Sequence, residues 1–166
     1  STYDATILSF DFVSYSDSAY FNYMFVSDEY TEYVASQYHY VFAFFFNGSN
    51  IALLPNGTPV TINNVNNGSN SSYYNDNDSN GAFPFEYDGF TDMLTASITN
   101  LIAGQTYSIT LAIADAGDSI LDSGVFLQAG SFSDVIISGV PEPSTFFLLG
   151  TGLVGFALVG RKRKKA

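Results

Sequence analysis

Apolar and polar residues alternate with a period of two along several short stretches of the chain. The clearest stretches are residues 6–13, 20–27, 93–99 and 106–114, where apolar side chains recur at every second position. Successive side chains of a β-strand point to opposite faces, so this period predicts strands with one buried face. Residues 125–130 form a further apolar stretch and predict the last strand of the domain.

Residues 40–46 read Tyr-Val-Phe-Ala-Phe-Phe-Phe, a continuous run that predicts a strand buried on both faces. Asn, Ser, Asp and Gly dominate residues 63–81, which predicts a long surface loop. Turn-forming residues separate the other stretches, and no long amphipathic helix precedes residue 139. The predicted fold class is therefore all-β, an antiparallel β-sandwich with jelly-roll-like connections.

The end of the chain has a different composition. Residues 145–160 are apolar and uncharged, and Arg161, Lys162 and Arg163 begin a basic cluster that follows them. A helix over this run would reach about 24 Å, a little short of the ~30 Å hydrocarbon core of a bilayer. The pattern predicts a 1–139 domain outside the cytoplasm and a 140–166 tail, whose short helix enters a membrane with its basic end inside.

Charge is divided sharply between these two parts. The formal net charge is −11, yet all five Lys and Arg residues lie at 161–165, and 15 of the 16 acids precede Pro141. A buried carboxylate of the domain must therefore accept hydrogen bonds, become protonated or bind a metal ion. Nucleic acid is excluded as a partner, because the domain has no Lys or Arg to neutralise phosphates.

Calcium is the expected metal, since Ca²⁺ prefers several oxygen ligands gathered on loops. The alternative is that these acids are solvated turn and surface residues. An EF-hand is excluded at residues 76–87, because its twelfth position is Tyr87 rather than Glu. The candidate ligands are Asp115, Asp118 and Asp122 in one loop, Asp76 and Asp78 in a second, and Asp28, Glu29 and Glu32 in a third.

Catalytic chemistry finds little support. The chain has no Cys and a single His39, and no Gly-x-Ser-x-Gly elbow accompanies that histidine. We therefore expect no enzymatic activity. Tyrosines in or near loops are candidates for stacking on sugars, with packing inside an aromatic-rich sandwich as the alternative. These candidate glycan contacts are Tyr30, Tyr33, Tyr73 and Tyr74.

Val140-Pro141-Glu142-Pro143, the apolar run with its glycines and the Arg/Lys end occur in the order found in the PEP-CTERM sorting signal. The tail closely resembles that signal of bacterial surface proteins. The resemblance implies that a membrane enzyme, an exosortase, cuts near Pro141, Glu142 and Pro143. The alternative is an ordinary anchor helix, which also places residues 1–139 outside the cytoplasm.

The domain itself contains Phe-Val-Ser-Asp-Glu-Tyr at 25–30 and Phe-Glu-Tyr-Asp-Gly-Phe-Thr at 85–91, with further matching stretches at 41–45, 51–66 and 111–127. These stretches resemble the choice-of-anchor L domain of bacterial surface proteins. The resemblance implies surface display and supplies no catalytic residues. Because Ser1 follows no export signal and the family's first portion is missing, we expect a processed or truncated N-terminus.

Together these features predict an exported protein of the cell surface or extracellular matrix, stabilised by calcium and structural or adhesive in role. A carbohydrate-binding module of an exopolysaccharide or biofilm matrix is the alternative, and an enzyme acting on polysaccharide is less favoured. The implied partners are the exosortase, the inner membrane through residues 145–160, and exopolysaccharide or other surface proteins.

Overall fold

A computed structural model describes residues 2–34, 39–78, 83–116 and 122–137 of the chain. This described part contains nine strands and one 3₁₀ turn, Ser71–Tyr73. The strands are β1 (Thr2–Val13), β2 (Ser18–Ser27), β3 (His39–Phe46), β4 (Ser49–Asn50), β5 (Tyr74–Asp76), β6 (Gly89–Thr91), β7 (Leu94–Thr99), β8 (Thr106–Ala116) and β9 (Ser123–Leu127). All their pairings are antiparallel.

The strands form two sheets. The first has the order β1-β8-β3-β4, and the second has the order β5-β6-β2-β7 with β9 also paired to β2. On one edge of β2, Tyr23 pairs with Leu94 of β7 and Val26 with Phe90 of β6. β9 pairs with Tyr23–Ser27, and it therefore occupies the opposite edge. β2 is the central strand of the second sheet.

The two sheets pack through an aromatic core that the period of two in β2 creates. Phe21, Tyr23 and Phe25 all point inward and are at most 5% exposed. They meet β3, where the ring centroid of Phe44 lies 4.8 Å from Tyr23 and that of Phe42 lies 5.1 Å from Phe25. Buried aromatic rings contribute the largest apolar areas of any side chains, so this contact holds the sheets together.

Two sequence predictions need correction. In β3, Phe42, Ala43 and Phe44 are buried, but Phe45 is 41% exposed, so burial on both faces holds only for the middle of the strand. The predicted surface loop from residue 63 contains β5 and a buried turn at Val65 and Asn66.

The buried turn exists because the Asn66 side chain replaces missing backbone partners. Its Nδ2 donates to the carbonyl of Ile62 at 2.8 Å, and its Oδ1 accepts the N–H groups of Gly68 and Ser69, both at 2.8 Å. Its Nδ2 also donates to the carbonyl of Asn63 at 3.2 Å, so a single amide satisfies four backbone groups of a chain reversal that has no regular secondary structure.

Residues 128–137, here called the C-terminal strap, follow β9 and cross the outer face of the second sheet. Asn22 points away from the core, and its Nδ2 donates to Gln128 Oε1 at 2.8 Å and to the carbonyl of Ile137 at 2.9 Å. Its Oδ1 accepts the Thr95 hydroxyl at 2.9 Å. The strap leaves Asn22 only 4% exposed, so a polar position on the outer face becomes a buried junction.

The middle of the strap is fixed as well. Ser133 exchanges two backbone hydrogen bonds with Tyr20, at 2.7 and 2.9 Å. The ring of Phe132 lies 5.0 Å from Phe12 and 6.1 Å from Phe21, where it covers one end of the seam between the sheets. Hydrogen bonds and ring contacts thus fasten the chain to the domain as far as Ile137.

The two antiparallel sheets confirm the all-β prediction, whereas the jelly-roll-like connectivity stays a prediction. The predicted C-terminal apolar helix falls outside the described residues. Within the part of the chain that is described, no helix is long and apolar enough to cross a membrane.

Candidate functional site

The pairing of β2 brings three acidic segments together at its C-terminal end. Ser27 pairs with Gly89 on one edge and with Ser123 on the other, so the residues that precede β6 and β9 arrive beside Asp28. The Asp28 backbone N–H donates to the carbonyl of Asp122 at 2.9 Å. The Asp28 carboxylate accepts the backbone N–H groups of Asp122 and Asp88. One carboxylate therefore ties together the end of β2 and the starts of β6 and β9.

Further acids surround this junction and form what we call the acidic face. Burial, followed by the charge of Asp122, raises the pKa of Asp28 above 3.8, although the two amide hydrogen bonds oppose the shift. Burial also raises the pKa of Asp88, and the charges of Asp78, Asp28, Glu32 and Asp76 add to it. The acidic face comprises Asp28, Glu32, Asp76, Asp78, Glu86, Asp88 and Asp122.

These shifts predict a domain that becomes more stable on mild acidification. A carboxyl group with a raised pKa binds its proton more tightly in the folded chain, so its contribution is fully present below pH 3.8 and is lost as the pH rises through the folded pKa. We expect the thermal midpoint to rise as the pH falls from neutral towards 3.8, with the gain appearing as the pH passes down through the raised pKa values. A series of thermal melts checks this.

The variant Asp28→Asn removes a charge and keeps an oxygen that can accept the two amide hydrogens. It should flatten the pH dependence, whereas Asp134→Asn, at an exposed carboxyl on the strap, should preserve it. A midpoint that falls steadily on acidification in the unmodified chain would contradict this electrostatic account of the acidic face.

The structure regroups the predicted metal ligands. Asp28 and Asp122 come together, and Asp76 and Asp78 lie near Asp88, but Asp115 belongs to β8 in the first sheet. Asp118 lies outside the described residues, as does the side chain of Asp115. Among the residues that are described, no three or more His, Cys, Asp or Glu side chains are arranged to hold a metal ion.

Glu29 and Glu32 also separate. Glu29 is buried, 2% exposed, and its backbone N–H donates to Ser27 Oγ at 3.1 Å, whereas Glu32 is exposed and belongs to the acidic face.

Sequence reasoning missed Glu86 and Asp88 as members of the acidic face. The signal was their alternation with Phe85, Tyr87 and Gly89, a period of two that predicts both acids on one side of the chain.

The candidate glycan tyrosines divide in the same way. Tyr30 has no accessible surface, so its ring cannot stack on a sugar in this conformation. It packs on Tyr74 with centroids 4.8 Å apart, and neither hydroxyl has a hydrogen-bond partner within the described part. Burial raises the pKa of Tyr74 to about 12, helped by the neighbouring acids. Tyr33, at 36% exposure, and the half-buried Tyr73 remain accessible.

Tyr73 belongs to a groove of about 540 Å³ beside the strap, here called the strap groove. Its floor is apolar, because Leu54 and Leu94 are 2% and 4% exposed. The lining residues are Ile51, Leu53, Leu54, Pro55, Gly57, Tyr73, Met93, Leu94, Thr95, Ser97 and Ile136.

An acidic two-sheet domain that continues directly into a sorting signal defines an exported protein addressed to the cell surface. Residues 1–133 match the family described as the Choice-of-anchor L domain, and residues 139–164 match the PEP-CTERM protein-sorting motif. The chain therefore belongs to the choice-of-anchor L domain family. No curated protein and no solved structure matches it.

The sorting match confirms the recognition of the tail from its sequence. It contains Pro141, Glu142 and Pro143 together with Arg161, Lys162 and Arg163, all of which lie outside the described residues. The two matched ranges leave only residues 134–138 between domain and motif.

Proposed function

We propose that this chain is a structural or adhesive protein of the bacterial surface or extracellular matrix, built as a jelly-roll-like β-sandwich. An exosortase acts on it near residues 141–143. The observation that carries this proposal is the sorting motif at 139–164, which follows the family domain within a few residues. Exopolysaccharide and other surface proteins are the expected partners of the displayed domain.

Charge supports the orientation in this proposal. All five Lys and Arg residues follow the apolar run 145–160, and cations flanking a membrane segment stay on the cytoplasmic side. The C-terminus is therefore cytoplasmic before processing, and the acidic domain is outside. The proposal gives no residue a catalytic role.

The test is the fate of the full chain in a bacterium that has an exosortase. We expect the unmodified chain to lose its tail and reach the surface or medium, and the triple variant Pro141→Ala, Glu142→Ala, Pro143→Ala to keep its full mass in the membrane. Fractionation and mass measurement of the C-terminus check both outcomes. A second variant, with Arg161, Lys162 and Arg163 replaced by Gln, should also remain unprocessed. Identical processing of all three chains would rule out sorting through this tail.

We also propose that calcium stabilises the displayed domain at the acidic face by reducing the repulsion among its carboxylates, although no three of the described acids are already arranged around one ion. The supporting observation is the mutual repulsion of Asp28, Asp122, Asp88 and their neighbours in a domain without Lys or Arg. Extracellular calcium modules bind with Kd values of roughly 0.1–1 mM. At about 10 mM calcium and a Kd of about 1 mM, linkage predicts a gain of about 1.4 kcal/mol in the free energy of unfolding.

Thermal melts in calcium and in EDTA measure this gain. We expect a midpoint several degrees higher in calcium, a smaller rise in magnesium, and loss of most of the difference in the variant Asp28→Asn, Asp122→Asn. The variant Asp134→Asn should respond to calcium like the unmodified chain. Equal midpoints in calcium and EDTA would show that the acids are simply solvated.

Glycan binding is the second candidate function. Tyr73 favours it, because its half-buried ring lines the strap groove beside Thr95 and Ser97, which supply hydroxyl groups. A glycan array probed with the full chain in calcium tests this role. Binding that disappears in Tyr73→Ala but persists in Tyr15→Ala, at an 87% exposed tyrosine elsewhere, would support it.

A further inference from the structure

The strap groove lies where the described chain ends, and its rim is unusually apolar for a surface in water. Met93 is 51% exposed and Ile136 is 58% exposed, and Val135 beside it is 61% exposed. The buried floor of Leu54 and Leu94 lies beneath this rim. Contiguous exposed apolar side chains around a concave floor are typical of surfaces that receive a partner's side chains.

The strap fixes how far the cleavage motif can lie from this groove. Ile136 lines the groove, and the carbonyl of Ile137 is held by Asn22 Nδ2 at 2.9 Å. Residues 138–140 alone separate Ile137 from Pro141. Four residue steps span at most about 14 Å, whatever their conformation. Any enzyme that grips Pro141 while the strap is in place therefore works against this side of the domain.

We propose that the strap groove is a docking surface for the membrane-embedded sorting enzyme that acts on residues 141–143. The inference rests on the sorting function proposed above and adds a second contact to it. Apolar side chains of the enzyme enter the groove, and the strap keeps the motif within about 14 Å of Ile137. Docking raises the effective concentration of the motif at the active site, because the second contact is intramolecular.

Charge favours a protein rather than a lipid surface as the occupant. None of the described residues that line the groove is charged, yet Asp92 and Asp134 are adjacent in sequence to its rim residues Met93 and Val135. Bacterial membranes present anionic headgroups, which would meet these two carboxylates with repulsion. An enzyme surface with an apolar centre and a basic rim complements both features.

The experiment follows processing of the full chain over time in cells that contain the exosortase. The test variant is Met93→Glu with Ile136→Glu, and the matched control is Ile7→Glu with Ile102→Glu, two residues that are each 65% exposed and do not line the groove. All four side chains are at least half exposed, so each variant should fold, and a thermal melt checks this. We expect the groove variant to be processed at least tenfold more slowly and the control to be processed at the unmodified rate.

A spacer separates docking from mere proximity. Ten Gly and Ser residues inserted between Ile137 and Val140 let the motif move beyond the limit of about 14 Å that the native chain sets. If the groove docks the enzyme, the groove variant stays slow when it carries the spacer. Restoration of its rate by the spacer would overturn the proposal, because only local charge near the motif would then matter. Unchanged processing of the groove variant without the spacer would overturn it too.

A photoreactive residue identifies the occupant. With benzoylphenylalanine in place of Val135, we expect an adduct between the chain and the exosortase. An adduct with lipid alone would assign the groove to the membrane surface and overturn the enzyme contact. If the unmodified chain is never processed, the sorting function fails first, and the docking surface fails with it.

Discussion

Replacing Gly89 with alanine lowers the free energy of unfolding by about 1–3 kcal/mol in our expectation. A Cβ atom at this position would lie 2.6 Å from Tyr30 Cδ2 and 2.8 Å from Tyr74 Cε2, inside the contact distance of carbon atoms. Tyr30 cannot withdraw, because it is fully buried between Tyr74 and Phe25, with centroids 4.8 and 6.5 Å away. Close approach to these rings, rather than backbone freedom, explains the glycine.

Thermal or denaturant unfolding of the full chain measures this loss. For a domain of this size, each kcal/mol corresponds to a fall of about 4 °C in the thermal midpoint. The matched control is Gly68→Ala, whose Cβ would meet only Asn66 Oδ1 at an ordinary 3.4 Å. It should change stability by less than about 0.5 kcal/mol. Equal midpoints for the two variants would mean that Tyr30 does not pack over Gly89.

Asn22→Leu is the second large effect, with an expected loss of about 2–4 kcal/mol. Leucine fills a similar volume but removes the donors to Gln128 and Ile137 and the acceptor of the Thr95 hydroxyl. The polar atoms left beneath the strap lose their partners away from bulk water, and that desolvation accounts for most of the cost.

A graded series distinguishes this junction from general damage to β2. Thr95→Val removes one of the three side-chain bonds and should cost about 1 kcal/mol. The strap should also become sensitive to chymotrypsin at Phe132 in Asn22→Leu, because Ile137 is no longer held. Losses of equal size in Thr95→Val and Asn22→Leu would show that the bonds to the strap contribute nothing.

The fold class follows from local pattern because the strands bury one face each. The alternation of Phe21, Tyr23 and Phe25 is visible in the sequence, and the structure places all three in the core. Asn22 lies between them and looks like an ordinary solvent-facing residue. Its burial depends on the strap, more than 100 positions away, and no short-range pattern reports such a contact.

The acidic face was only partly predictable for the same reason. The sequence groups Asp122 with Asp115 and Asp118 by proximity along the chain, whereas antiparallel pairing on both edges of β2 brings Asp122 and Asp88 to Asp28. Strand register decides which loops meet, and register is a long-range property. Tyr30 illustrates the same limit, since a loop tyrosine becomes buried only because Gly89 leaves space for its ring.

The strap has a mechanical consequence for a protein held at its C-terminal end. Tension applied from the tail first reaches the hydrogen bond between the Ile137 carbonyl and Asn22 Nδ2. It then reaches the two backbone bonds between Ser133 and Tyr20, and last the Gln128–Asn22 pair next to β9. Because Tyr20 and Asn22 belong to β2, these bonds pass the load to the central strand, and they would break one after another before the sheets separate. Their release frees a strap whose fully extended length is about 33 Å, since each extended residue contributes ~3.3 Å. The strap would therefore extend first under tension applied at the C-terminal tail, while the two sheets stay paired.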